Sequence, residues 1–196
     1  SKVIWIDAHA DLHTPYSTPS GNMHGMPLAA MLGWDNPKVG TAEPNPKVID
    51  SWKKIKKVGN GNSPKLLPQH LVFIAARDLE LEEKELIAKH NIICYGPEHI
   101  KEKGMESVLM EVEEYLKDIP HWYTSFDVDS LDTSISVGTG TPVKNGLTEE
   151  QAHTCFGYFF EHEKTKAFEI TEINPTLDTV NKMANFVNQL LKSVLQ

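Results

Sequence analysis

Cysteine is scarce in this chain of 196 residues, which contains only Cys94 and Cys155. Neither belongs to a Cys-X-X-Cys pair, and this excludes a thiolate zinc site or a disulfide-rich framework as the organising feature. Both cysteines lie in apolar surroundings in the sequence. We therefore predict two buried thiols in a protein from a reducing compartment, and we expect a cytoplasmic location.

Long apolar runs and a surplus of positive charge are also missing. No run approaches the roughly 20 apolar residues of a membrane-spanning helix, and no signal-peptide pattern opens the chain. The formal net charge is -8, which argues against a surface that binds the phosphates of nucleic acid. We expect neither a membrane nor a nucleic acid as a partner.

The composition that is present is typical of a globular domain. Hydrophobic residues make up 40% of the chain and charged residues 23%, so a real core can form. We expect one domain over residues 1–196. The chain opens Ser1-Lys2-Val3 without a methionine and reads as a strand almost at once, so we also expect the domain to be incomplete at its N-terminus.

Short apolar runs alternate with helical patterns along the chain. Strands are predicted over residues 3–6, 70–76, 92–95, 122–126 and 167–173. Helices are predicted over residues 28–32, 82–90, 105–117, 148–162 and 177–195. Residues 35–68 read as a loop with a short helix or strand within 48–58. This alternation predicts an α/β fold of three αβα layers with a mainly parallel sheet, in which ligands bind outside the carboxyl ends of the strands.

Two of these strands end in acidic side chains. The first segment reads Asp-Ala-His-Ala-Asp over residues 7–11, and the second reads Ser-Phe-Asp-Val-Asp over residues 125–129. Side chains alternate along an extended chain, so Asp7, His9 and Asp11 would point one way, and Asp127 and Asp129 would point together. All five would converge if the two strands are neighbours.

Converging carboxylates repel one another unless some are protonated or a cation lies between them. Oxygen ligands with one imidazole suit a hard or borderline divalent ion such as Mn²⁺. The alternative is that these aspartates are turn and helix-cap residues. That alternative explains one such segment more readily than two, so the pattern favours a metal site.

The motifs resemble those of the arginase/agmatinase superfamily, the ureohydrolases. A third segment, Glu-Ile-Asn-Pro over residues 172–175, follows the two acidic ones in the family's order. The arginase branch is indicated by Thr-Pro at 14–15, Ser-Gly-Asn-Met-His-Gly at 20–25 and Gly-Thr-Gly-Thr-Pro at 138–142. The resemblance implies an arginase-like fold, a small guanidino substrate and a homo-oligomer, either a trimer or a hexamer.

The resemblance also implies two Mn²⁺ ions per subunit. Asp7 and Asp127 would bridge them, Asp11 would bind the first ion only, and His9 and Asp129 would bind the second. Bound divalent ions make a water molecule nucleophilic near neutral pH. In the family, this water attacks the guanidinium carbon of L-arginine and gives ornithine and urea.

Further residues match the family's catalytic positions. His24 corresponds to the proton-shuttling histidine, for which an imidazole that titrates near neutrality is suited; the alternative is an ordinary residue at a helix start. Glu172 would hold the guanidinium by a charge-assisted pair, and Thr141 would steady that glutamate. Together with Asp11, His24 and Glu172 are the residues we expect to be catalytic.

Other positions correspond to the amino-acid end of the substrate. Ser20 and Asn22 would meet its α-carboxylate, and Asp78 and Glu80 would lie near its α-amino group, where the family usually has Asp at the second position. His13 stands where arginases usually place an Asn that contacts the α-carboxylate. L-Arginine is therefore favoured, while agmatine or another guanidino compound stays open as the substrate.

One ligand of the family is not among these residues. Arginases take a further histidine from a Gly-Gly-Asp-His segment upstream of the first strand, and the 196 residues do not include it. The first metal position would then have only carboxylate ligands, so we expect weak binding there and poor activity. A third interpretation is a metal-poor, non-catalytic binding or assembly protein. The five intact ligands argue against it, and the absence of the upstream histidine segment argues for it.

Overall fold

The computed structural model describes residues 1–36 and 43–195, and the backbone forms two compact units. The first contains Ser1–Ala8, His70–Asp78 and Ile93–Gln196, and the second contains His9–Gln69 and Leu79–Ile92. The single domain expected over residues 1–196 stays a prediction. None of the helices in the described ranges has the length and apolar character needed to cross a membrane.

Strands and helices alternate for most of the chain. The elements are β1 (Lys2–Ile6), α1 (Pro27–Leu32), α2 (Pro46–Ile55), β2 (Leu71–Ile74), α3 (Leu81–Lys89), β3 (Ile93–Tyr95), α4 (Pro97–Lys103), α5 (Met105–Leu116), β4 (Trp122–Asp127), α6 (Glu149–Glu161), β5 (Thr165–Thr171) and α7 (Lys182–Val194).

The first unit contains a five-stranded sheet in the order β3-β2-β1-β4-β5. All its strand pairs are parallel, which confirms the predicted parallel sheet with flanking helices. β1 and β2 are buried along their whole length, because strands inside a parallel sheet are covered on both faces. That burial is why they read as unbroken apolar runs in the sequence.

Helices α4 to α7 belong to the same unit as the sheet. Helix α5 buries Val108, Leu109, Val112 and Leu116, a spacing that puts these side chains on one helical face. Helix α6 packs on β4 and β5, and α5 and α7 pack on α6. The carboxyl ends of the strands are thus fixed by a continuous apolar core.

The second unit contains α1, α2 and α3 and a small core of its own, made by Met26, Ala29, Ala30 and Trp52. Helix α2 begins where Asn45 accepts a hydrogen bond from the Val48 amide, 3.1 Å away. The segment within 48–58, predicted as either a short helix or a strand, therefore contains a helix. Of the loop predicted over 35–68, residues 37–42 lie outside the described residues.

Two helices differ from the sequence-based prediction. Helix α4 was not predicted; it starts at Pro97 after a Gly96 cap and ends at Lys103, before Gly104, whose φ is +83°. Helix α7 begins at Lys182 rather than at 177. The Asp178 carboxylate accepts from the Val180 and Met183 amides, and such a local side-chain bond supports a turn in place of helix.

Candidate metal centre

Three carboxylates meet at the carboxyl ends of β1 and β4. Asp7 directly follows β1, Asp127 is the last residue of β4, and the two strands pair in parallel. Asp129 lies in the 3-10 turn that continues β4. The exposed fractions of Asp7, Asp127 and Asp129 are 2%, 7% and 1%. Aspartates are rarely buried this completely without partners.

Neutral donors hold two of these carboxylates in place. Asp127 accepts from the Asp129 amide at 2.8 Å and from the Thr171 hydroxyl at 3.0 Å. Asp129 accepts from the Ala8 amide at 3.2 Å and from the Thr141 hydroxyl at 3.1 Å. These bonds orient the carboxylates but do not cancel their negative charge.

The electrostatics of the cluster favour a cation. Burial, reinforced by the negative charges of Asp7 and Asp129, raises the pKa of Asp127 to about 10. Both effects disfavour the ionised form of a carboxyl group. All three groups can therefore be ionised near neutral pH only if positive charge is brought among them.

The donor set is that of a hard or borderline divalent ion. Carboxylate oxygens of Asp7 and Asp129, both in the first unit, lie within 4.8 Å of each other. His9 is the imidazole expected beside them, and its role as a ligand stays a prediction. Oxygen ligands with one imidazole fit Mn²⁺ and do not form a thiolate site. The residues present thus fit the metal that the sequence motifs imply.

Known proteins with similar sequences are arginases. The sequence model of a protein family, described as "Arginase family", matches residues 1–196. The chain belongs to the arginase family. The arginase of Bacillus caldovelox is 37% identical to it over 193 residues, which are 98% of this chain and 59% of that protein.

Solved structures of arginases have the same fold as this arginase-family chain. The arginase of Bacillus subtilis superposes with a TM-score of 0.83 at 32% identity, covering 99% of this chain and 62% of that one. The arginase of Entamoeba histolytica, solved with L-ornithine, gives a TM-score of 0.83 at 27% identity, covering 99% of this chain and 59% of that one. The chain spans 59% and 60% of the length of two bacterial arginases it matches.

The carboxylates of this arginase-family chain converge by a different route from the one predicted. The prediction that side chains alternate in an extended chain beyond the strand ends was wrong. Strand β4 ends at Asp127, and Asp129 lies in a 3-10 turn. The Ser130 hydroxyl closes that turn by donating to the Asp127 carbonyl at 2.6 Å. Likewise β1 stops at Ile6, and Asp11 has a left-handed backbone with φ 52°. The expected pairing of the two strands is confirmed.

Glu172 and Thr141, expected at the guanidinium, lie in the first unit. Glu172 directly follows β5, is exposed, and has φ 62°. The hydroxyl of Thr141 donates to Asp129 rather than to Glu172, so the contact that the structure shows is with the carboxylate cluster. Asp78 is exposed, and its amide donates to the Ala8 carbonyl at 2.9 Å.

Ser20, Asn22 and His24 lie in the second unit. All three are exposed, and His24 occupies the 3-10 turn Met23–Gly25. The Asn22 amide donates to the Ser20 hydroxyl at 3.2 Å, which ties the loop to itself. Their roles toward a substrate stay predictions.

His13 has two carboxylate neighbours in the second unit. Its Nε2 lies 3.1 Å from a Glu80 oxygen and 3.8 Å from a Glu83 oxygen. Glu83 is 2% exposed and accepts from the Leu12 amide at 3.1 Å. Burial, followed by the bond to Glu80, raises the pKa of Glu83 to about 7.

Glu83 was missed by the sequence analysis, although a signal was present. Glu80 and Glu83 form a capping box at the start of α3. Their spacing of three residues, with Glu at the second position, partly matches the sequence signature of that motif, whose first position is usually Ser, Thr, Asp or Asn. The pattern indicates a cap. It does not indicate that the cap would be buried against His13, because that contact depends on tertiary structure.

Arg77 was also missed. It follows β2 in the first unit, is half-buried, and lies beside the carboxylate cluster, where it contacts Asp129. Burial lowers the pKa of the Arg77 guanidinium, against the opposing influence of Asp129 and Asp7. A signal was again present, since Arg77 is the only arginine among 19 basic residues.

Proposed function

We propose that this protein is a manganese-dependent amidinohydrolase that hydrolyses the guanidinium group of L-arginine to ornithine and urea. The observation that carries the proposal is the meeting of three buried carboxylates, Asp7, Asp127 and Asp129, at the ends of two neighbouring parallel strands. Membership of the arginase family supports the reaction class. A relative solved with L-ornithine supports the substrate class.

The residues that would hold two Mn²⁺ ions are Asp7, His9, Asp11, Asp127 and Asp129. Bound there, manganese supplies Lewis-acid chemistry, which lowers the pKa of water and stabilises developing negative charge. The chain's own contribution is to keep its carboxylates oriented before any ligand arrives. The hydroxyls of Thr171 and Thr141 and the amides of Ala8 and Asp129 do this.

Glu172 is proposed to hold the guanidinium group of the substrate through a charge-assisted pair. Its left-handed backbone, φ 62°, and that of Asp11, φ 52°, support a functional role for both. Residues other than glycine rarely adopt this conformation, and those that do are concentrated at functional sites.

His24 is proposed to relay protons between the substrate and solvent. An imidazole titrates near neutral pH and can both give and take a proton. Its exposed position in a 3-10 turn leaves the ring accessible to solvent. Ser20 and Asn22 are proposed to bind the α-carboxylate, and Asp78 and Glu80 the α-amino group.

A second candidate substrate is agmatine or another guanidino compound without an α-amino-acid end. The specific observation is that His13, 3.1 Å from Glu80, already pairs with a carboxylate that would otherwise bind an α-amino group. A substrate that lacks that group would not have to disrupt the pair.

The test measures urea release from L-arginine and from agmatine, with and without added Mn²⁺. We expect manganese-dependent urea release from L-arginine, reduced by at least about tenfold in Asp129→Asn, since even the loss of a group that only orients a metal ligand typically costs 10- to 100-fold. The control is Asp50→Asn, the same chemical change on the exposed face of α2, which should leave the rate unchanged.

Two results would redirect the proposal. Faster release from agmatine than from L-arginine would favour the second candidate, and His13→Asn should then shift the preference back towards L-arginine. No urea from either substrate, together with no Mn²⁺ binding by electron paramagnetic resonance, would favour the metal-poor, non-catalytic interpretation.

A further inference from the structure

The single arginine of the chain occupies a position that lysine could not fill. All the other basic side chains among the 19 Lys and Arg residues are lysines. A guanidinium carries five donors in a fixed planar fork, whereas an ammonium concentrates three donors on one nitrogen. All three nitrogens of the Arg77 guanidinium, Nε, Nη1 and Nη2, donate hydrogen bonds.

The Arg77 guanidinium binds main-chain carbonyls from three segments of the first unit. One of its nitrogens, Nη2, donates at 2.8 Å to the carbonyl of Asp129, a proposed metal ligand. The carbonyls that accept from the three guanidinium nitrogens are those of Ala75, Asp129, Ser130, Leu131, Val143 and Lys144.

Arg77 also closes a ring of hydrogen bonds with the metal centre. Its amide donates to the Ala8 carbonyl at 2.8 Å, and the Ala8 amide donates to the Asp129 carboxylate at 3.2 Å. The bond from Nη2 to the Asp129 carbonyl completes the ring. The ring joins the carboxyl ends of β1, β2 and β4. Asp7 directly follows β1, and Asp129 lies in the turn after β4.

The carbonyls that receive the guanidinium are themselves held rigidly. The segment 143–147 packs directly on the turn after β4, where a Cβ added to Gly146 would lie 2.4 Å from the Leu131 carbonyl carbon. The Leu147 amide donates to the Ser130 carbonyl at 2.9 Å, and the Asp132 amide donates to the Leu147 carbonyl at 3.0 Å. Arg77 thus fills a preformed cradle of acceptors.

We propose that Arg77 is the positioning residue of the carboxylate centre: its fork holds the Asp129 turn and the Asp7–Ala8 peptide in the geometry that a divalent cation requires. It acts through the main chain and touches neither substrate nor metal. This inference rests on the proposed function, because it requires that Asp7 and Asp129 are metal ligands. Groups that orient metal ligands in this way typically contribute 10- to 100-fold to metal affinity.

The experiment is a Mn²⁺ titration followed by electron paramagnetic resonance, at low temperature where every variant compared is folded. Arg77→Lys and Arg77→Gln are each expected to bind Mn²⁺ roughly 10- to 100-fold more weakly than the wild type. Lys144→Gln is the matched control. It removes a positive charge from the same cradle but keeps the Lys144 carbonyl, so its affinity should equal that of the wild type.

Asp129→Asn separates this inference from the proposed function. If the wild type binds no Mn²⁺, or if Asp129→Asn binds it as well as the wild type, the proposed metal centre itself is wrong. If Asp129→Asn weakens binding but Arg77→Lys and Arg77→Gln do not, the metal centre stands and the positioning role is overturned. A lower melting temperature of the Arg77 variants with unchanged Mn²⁺ affinity would also overturn it, because it would show a purely structural role.

A measurement on the wild type covers the case in which both Arg77 variants fail to fold. With one arginine in the chain, the arginine Nε–H region of a nitrogen-15 NMR spectrum contains a single signal. We expect this signal to exchange slowly with solvent and to broaden when Mn²⁺, but not diamagnetic Mg²⁺, is added below one equivalent. A rapidly exchanging signal, or one that Mn²⁺ does not broaden, would overturn the proposal.

Discussion

Asp127 and Glu83 are both carboxylic acids whose burial beside other carboxylates raises the pKa. The pKa of Asp127 is raised to about 10 and that of Glu83 to about 7. The position of Asp127 at a strand end could be predicted because it follows an apolar run in the sequence. Its role as a metal ligand stays a prediction. The burial of Glu83 against His13 could not be predicted, because only a capping pattern is visible locally. The positions of Asp7 and Asp127 were therefore predictable, because both lie at the ends of apolar runs.

The raised pKa of Glu83 predicts how stability depends on pH. The folded-state pKa, about 7, exceeds the ordinary value of 4.5, so the folded protein binds this proton more tightly than the unfolded chain does. The resulting stabilisation is complete below the ordinary value and is lost as pH rises through the folded value. It is on the order of 3 kcal/mol, at about 1.4 kcal/mol per pKa unit.

Urea unfolding at pH 5, 6, 7 and 8 measures this effect. We expect Glu83→Gln, which stays neutral throughout, to lose less of its free energy of unfolding between pH 5 and 8 than the wild type loses. Glu85→Gln, an exposed neighbour on α3, should follow the wild-type profile. Parallel profiles for the wild type and Glu83→Gln would contradict the assignment of the raised pKa to Glu83.

Elements were predicted best where the hydrophobic pattern is strong. The runs that became β1 and β2 were recognised because strands buried on both faces are continuously apolar. Helix α4, with a single buried residue, Ile100, lacks an apolar stripe and was not recognised. The turn after β4 was also missed, since the local pattern Asp-Val-Asp fits an extended chain as well as a 3-10 turn. The sequence thus predicted the positions of whole elements better than it predicted the geometry of their ends.

The contact between the segment 143–147 and the turn after β4 can be tested by adding one methyl group. In Gly146→Ala the new Cβ would lie 2.4 Å from the Leu131 carbonyl carbon, which is part of the main chain. Overpacking of this kind typically costs about 1–3 kcal/mol, so we expect a loss of that size in the free energy of unfolding.

The matched control is Gly140→Ala, where a Cβ would meet no atom within 4 Å. It should change the free energy of unfolding by less than about 0.5 kcal/mol, as is usual for surface substitutions. Chemical denaturation of the three proteins measures both effects. Equal stabilities of Gly146→Ala and Gly140→Ala would show that the two segments are less closely packed than the structure indicates.

For the molecule as a whole, the arginase family and the parallel sheet confirm what the sequence motifs implied. The trimeric or hexameric assembly and the roles of individual site residues stay predictions. The formal net charge of -8 agrees with a protein that binds cations. A metal that binds only the folded state stabilises the entire chain by mass action.

We therefore expect added Mn²⁺ to raise the melting temperature and a chelator to reverse the rise. At a free concentration of 100 times the dissociation constant, the stabilisation is about 2.7 kcal/mol per site. Asp7→Asn should abolish most of this rise, whereas Asp50→Asn, on an exposed helix face, should keep it. A melting temperature that does not respond to Mn²⁺ in any of the three proteins would contradict a metal centre at Asp7.

The sequence by itself determined the α/β class, the parallel strands and the acidic segments at their ends. These follow from local hydrophobic periodicity and from residue types that are adjacent in the chain. Only the tertiary structure decided that a 3-10 turn places Asp129 beside Asp7, that Thr141 bonds to Asp129, and that Arg77 joins three strand ends. The physical reason is that these contacts join residues far apart in the chain, and only the packing of the sheet and its loops sets their distances.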